Sequence, residues 1–78
     1  MAEVKTRKDL ILKYTDTLAK IEKANPKDDG STYDAGVCFD MLVSDYTSHV
    51  VGAEPRYTFE GIEEFDWDAF GEDYGKLE

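Results

Sequence analysis

One cysteine, Cys38, and one histidine, His49, are the only residues of their kind in a chain of 78 with eighteen carboxylates. Nucleophilic catalysis needs a nucleophile, a base and an orienting group within hydrogen-bond reach of one another. Cys38 and His49 stand three helical turns apart on what reads as one helix, about 16 Å at the usual rise, so they do not touch and both read as core residues. A structural zinc site takes about four cysteine or histidine ligands, and there are two. Asp66-Trp67-Asp68-Ala69-Phe70-Gly71 opens like a calcium-binding EF-hand loop, with acids first and third and glycine sixth. It then fails: Phe70 stands at the fifth position and Leu77 where a bidentate glutamate is required. Carboxylate pairs for glycoside chemistry are available by number, but so short a chain does not readily build the deep cleft they need. No glycine loop that could cradle a phosphate is present. These residues imply no enzyme, no metal and no cofactor, and leave binding as the work to be explained.

The charge says what could be bound. The net charge is −9 and it is unevenly placed. Residues 1–27 hold seven basic residues against four acids, a net of +3, whereas residues 28–78 hold two against fourteen, a net of −12. Direct contact with nucleic acid or an anionic membrane requires clustered lysine and arginine, which the acidic part lacks, so an electrostatic partner should be basic. A basic helix packed on the acidic remainder would neutralise part of the charge, but +3 does not cancel −12.

The elements that must position these groups are helical. Thr6 and Asp9 have capping-box spacing, and Leu10, Ile11, Tyr14, Leu18 and Ile21 then recur on one face with Lys13, Lys20 and Lys23 opposite, up to Asn25-Pro26. A polar turn over 27–31 follows, with Gly30 free to take a positive φ. Between Tyr33 and Val51 the alternation of Val37, Phe39, Met41 and Val43 suits a strand. Helix fits better, since Ala35, Cys38, Phe39, Leu42, Tyr46, His49 and Val50 share a face between an N-cap at Asp34 and a C-cap at Gly52. After Pro55, Phe59, Ile62, Phe65, Ala69, Phe70 and Leu77 fall near one helical face, interrupted by Gly61, Gly71 and Gly75, so a broken helix is expected. The fold class is mainly α: one small domain over 1–78, of three helices with a broken acidic third. An α+β fold with a short antiparallel sheet in 32–59 is the alternative.

In a regular helix Glu60, Glu64, Asp68 and Glu72 would form an i, i+4 row of like charges, flanked by Glu63, Asp66 and Asp73. Each such pair opposes helix formation by about 0.2–0.5 kcal/mol, so stability does not account for the row. Its spacing, about 5–6 Å, is close to that of phosphates along a strand, and a groove of arginine and lysine would accept it. Trp67 projects to the edge of this row in a regular helix, where it could stack on a partner's arginine; packing into the core is the competing assignment. The candidate partner-binding residues are therefore Glu60, Glu63, Glu64, Asp66, Trp67, Asp68, Glu72 and Asp73.

In size, acidity and lack of catalytic motifs the chain is similar to phage-encoded inhibitors of the anti-CRISPR and anti-restriction type that mimic DNA, a resemblance of character carried by no shared motif. Bacterial nuclease-immunity proteins share that character. The resemblance implies an inhibitor that covers the nucleic-acid-binding surface of a basic protein in the cytoplasm, the host's if the chain is phage-encoded. The lone cysteine agrees with a reducing compartment, and no apolar run approaches the roughly 20 residues that span a bilayer, nor does the start read as a signal peptide. A second reading is an adaptor, since Trp67-Asp68-Ala69-Phe70 resembles the tryptophan-x-x-phenylalanine peptides bound by clathrin-adaptor appendages and Phe65–Phe70 resembles acidic activation segments. A mimic requires residues 58–74 to be held rigidly, whereas a docking peptide is flexible when free. Self-association of the basic helix of one copy with the acidic half of another is a third alternative.

Overall fold

Thr6 opens the first helix in the way its spacing to Asp9 requires. The Asp9 N–H donates to Thr6 Oγ1 at 3.2 Å while Asp9 Oδ2 accepts from the Thr6 N–H at 3.2 Å, the reciprocal pair of a capping box. The computed structural model describes residues 4–77; Met1, Ala2, Glu3 and Glu78 lie outside it. Four α-helices follow in order: α1 (Arg7–Lys13), α2 (Thr15–Ala24), α3 (Ala35–Val51) and α4 (Trp67–Gly75), with a single 3-10 turn (Ile62–Glu64) ahead of α4. Among the described residues there is no strand, so the fold is mainly α and the sheet expected as an alternative over 32–59 does not form.

The first predicted helix is two. Tyr14, at φ −105° and ψ 27°, leaves helical geometry between Lys13 and Thr15. The Thr15 hydroxyl donates back to the carbonyls of Leu12 at 2.9 Å and Ile11 at 3.3 Å, a local competition that bends helices. At the bend the Tyr14 ring lies against Phe65 and Phe70, with centroids 5.6 and 5.3 Å apart.

The middle segment is the helix that its caps imply. Asp34 Oδ1 accepts from the Val37 N–H at 2.9 Å. At the other end Gly52 takes φ +78°, its N–H reaching the His49 carbonyl while the Ala53 N–H reaches that of Ser48 at 2.9 Å, a Schellman arrangement. The buried face of α3 is rotated from the one expected. Cys38, Phe39, Met41, Leu42 and Asp45 are buried, whereas Ala35, His49 and Val50 are exposed. Leu10, Leu18 and Ile21 of α1 and α2 complete one side of the core, and Phe59, Trp67 and Phe70 the other.

The third segment is broken in the expected manner. Gly61 turns the chain at φ +87°, Phe65 is extended, and α4 starts only at Trp67, with Asp66 Oδ1 accepting from the Ala69 N–H at 3.0 Å. Gly71 lies inside α4 for a packing reason. A Cβ there would meet the Tyr46 hydroxyl at 2.5 Å, so the missing side chain lets α4 close on α3.

Candidate functional site

The acidic segment does not present the regular row its spacing suggested. Glu60 lies in the turn before Gly61, Glu64 in the 3-10 turn, and only Asp68 and Glu72 share α4, so one i, i+4 pair survives where three were expected. The positive φ of Gly61 and the extended Phe65 are the causes. What remains is a patch: Glu60, Glu63, Glu64, Asp66, Asp68 and Glu72 are all exposed. Beneath it the same segment is anchored by Phe59, Trp67 and Phe70, all buried, with Phe65 edge-on to Trp67 at 4.7 Å. Asp66 and Asp68, the acids of the EF-hand-like run, cap and occupy a helix rather than a loop. Among the described residues no group of three or more histidine, cysteine or carboxylate side chains is placed to hold a metal ion.

Two of the eight candidate partner residues are not on this patch. Asp73 is 8 % exposed and turns inward, where Lys13 Nζ and, at 3.3 Å, the Tyr14 hydroxyl both donate to its Oδ2. The bond from Lys13 holds the carboxyl below its ordinary value in spite of burial. Lys13, expected on the outer face of the first helix, thus reaches α4 along its aliphatic stem. Arg7 adds a second tie between the basic and acidic parts, pairing with Asp40 at 2.8 Å on the surface.

Trp67 is 9 % exposed and packs into the core beside α3, the competing assignment, rather than at the edge of an acidic row. His49 stacks on it at 5.4 Å with the planes 19° apart, and Tyr46 at 6.5 Å. His49 is therefore exposed but not idle, contrary to its expected place in the core. Cys38 is fully buried, and burial pushes its thiol up.

The residue that sequence reasoning missed is Asp45. It is 1 % exposed, in the middle of α3, three residues after Met41's neighbour Leu42 and inside the apolar stripe. Its Oδ1 accepts the Tyr57 N–H at 2.9 Å, which ties the 52–61 connection down onto α3. Its Oδ2 has no hydrogen-bond partner among the described residues. Burial pushes the Asp45 carboxyl up, opposed by the backbone N–H groups of Tyr57 and Arg56. A cavity of about 320 Å³ opens beside it, lined by Asp45, His49, Ala53, Pro55, Ile62, Glu63 and Trp67. The detectable signal was an acid at the i+3 and i+4 register of Leu42 and Met41, where the stripe calls for an apolar residue.

Compared with family models, characterised proteins and solved structures, the chain matches none. The functional reading therefore rests on the patch and the pocket themselves.

Proposed function

We propose that this protein is an inhibitor that binds a basic, nucleic-acid-binding surface of another protein and blocks it by acidic mimicry. The observation that carries the reading is the presentation of six exposed carboxylates, from Glu60 to Glu72, on a segment whose aromatic side chains are buried in the core. Charge held on a packed platform loses little conformational entropy on binding and steers a basic partner into contact. The mimicry is of charge density rather than of phosphate spacing, because the turn at Gly61 removes the regular row.

The burial of Trp67 and Phe70 weighs against the docking-peptide alternative, since both anchors of the tryptophan-x-x-phenylalanine run are already used inside the fold. Among the described residues no helix is long and apolar enough to cross a membrane. The proposed setting is the cytoplasm of a cell whose nucleic-acid enzymes are the targets, with phage encoding the natural source of such an inhibitor. Binding, not catalysis, is the activity.

The test is capture from cell lysate with the wild-type protein and a Glu60→Lys, Glu64→Lys, Asp68→Lys, Glu72→Lys variant. A nucleic-acid-binding protein held by the wild type alone, released by raised salt and displaced by DNA or RNA, is the expected result. Capture that ignores the charge reversal, or that nucleic acid does not displace, overturns the reading.

A further inference from the structure

A carboxylate oxygen buried without a partner is uncommon, because its lost hydration is ordinarily replaced by a hydrogen bond or a cation. Asp45 Oδ2 is such an oxygen, and Asp45 lines a cavity rather than sealed core. The cavity's other walls are of three kinds. Trp67, Ile62, Pro55 and Ala53 are apolar, Glu63, exposed at the mouth, is a second carboxylate, and His49 contributes an imidazole that stacks on Trp67 at 5.4 Å. Among the described residues no lysine or arginine lines it. Two acids at different depths, flanked by an indole and aliphatic surface, match a group that is cationic at its tip and apolar along its stem.

We propose that this pocket receives an arginine side chain of the basic partner protein, with Asp45 Oδ2 accepting from the guanidinium and Glu63 meeting it at the mouth. Arginine suits the site better than lysine. Its guanidinium is weakly hydrated, donates in a fork to more than one carboxylate and packs well beside aromatic rings. The surrounding charge favours its approach: Glu60, Glu64 and Asp66 are exposed in the same segment as Glu63, on a protein of net charge −9. The inference rests on the inhibitor reading and gives it an anchor, converting a diffuse charge patch into a surface with one specific socket.

The experiment uses the full-length protein and blocked Gly-Arg-Gly tripeptide, followed by ¹H–¹⁵N correlation spectra. The indole N–H of Trp67, the sole tryptophan, and the Tyr57 amide bound to Asp45 report on the pocket. Saturable shifts of both, at a Kd on the order of 1 mM for a ligand of that size, are expected. The citrulline tripeptide, equal in shape and uncharged, should bind at least about tenfold more weakly, a factor worth about 1.4 kcal/mol. Asp45→Asn keeps an acceptor for the Tyr57 N–H and should weaken binding by a similar factor. Glu63→Gln, on the surface, should weaken it less. No shift at Trp67 and Tyr57, equal binding of citrulline, or full binding by Asp45→Asn overturns the proposal. Butylguanidine binding tenfold more tightly than the tripeptide overturns the protein partner in favour of a free small molecule. The quadruple lysine variant of the patch keeps Asp45 and Glu63 but loses the favourable charge around them, so it should bind the tripeptide more weakly, with the same shifts at Trp67 and Tyr57 on saturation. Tripeptide binding without capture of a nucleic-acid-binding protein would therefore sink the inhibitor reading alone, and capture without tripeptide binding would sink the pocket alone.

Discussion

Among the described residues two carboxylates are buried, and their surroundings are opposites. Asp73, where α4 meets the bend between α1 and α2, accepts from Lys13 and Tyr14, and its carboxyl is held below its ordinary value. Asp45, where α3 meets the 52–61 connection, accepts from the Tyr57 N–H, has one oxygen without a hydrogen-bond partner among the described residues, and is pushed up by burial. The first is satisfied within the chain and does the work of a fastener between the basic and acidic parts. The second is only half satisfied and borders open space. A buried acid whose needs the fold does not meet is the feature a binding site would leave, and this contrast separates the structural carboxylate from the available one.

The largest expected effect tests the fastener. Asp73→Asn removes the charge that Lys13 and Tyr14 donate to, and should lower stability by about 2 kcal/mol at pH 7 in urea denaturation, the range for hydrogen bonds to a charged group. Asp45→Asn should leave stability at pH 7 unchanged or raised, because it keeps the acceptor for Tyr57 and removes an uncompensated charge. Equal losses in the two variants would erase the distinction.

The pH dependence of stability sharpens the same contrast, since the two acids shift in opposite directions from the ordinary value of 3.8. For Asp73 the unfolded chain takes up a proton before the folded protein does, so its contribution is present above 3.8 and is lost as pH falls through the lowered folded value. For Asp45 the folded protein keeps a proton that the unfolded chain has released. Its contribution is present below 3.8 and is lost as pH rises through the raised folded value. Each slope is at most about 1.4 kcal/mol per pH unit. In urea titrations from pH 2 to 7, Asp73→Asn should flatten the acid limb, and Asp45→Asn should remove the decline above it. A wild-type profile that responds to neither substitution would show that neither acid is perturbed as its surroundings require.

The sequence makes some of this legible, and the boundary is physical. Caps are local, so Thr6 with Asp9, Asp34 and Gly52 could be read from spacing, and they decide for helix over the strand-like alternation of Val37 to Val43. The broken third element was likewise signalled by Gly61. Its consequence for the acidic row was not, because three like-charged pairs require a continuous helix and the turn at Gly61 leaves only Asp68 with Glu72. The bend at Tyr14 depends on Thr15 bonding backwards and on the tyrosine finding Phe65 and Phe70, which are more than fifty residues away in sequence. Asp73 and Asp45 were hidden for a common reason. Composition places carboxylates outside, and only tertiary contact reveals Lys13 reaching one of them or Tyr57 covering the other.

The smallest expected effect concerns Tyr14, whose hydroxyl is pushed up to about 12, first by burial and then by the charge and hydrogen bond of Asp73. Ultraviolet titration, with Tyr14→Phe to identify its component, should show the Tyr14 hydroxyl ionising at about 12. Because the folded value lies above the ordinary 10.0, its contribution to stability is complete below pH 10 and is lost as pH rises toward 12. Asp73→Asn should bring the Tyr14 titration down only part of the way toward 10.0, since burial, the larger cause, stays in place. Asp45→Asn should not move it, as Asp45 belongs to the other seam. A Tyr14 titration left at about 12 by Asp73→Asn would mean that the charge at this seam is screened, and that Asp73 is as unengaged by its neighbours as Asp45 Oδ2.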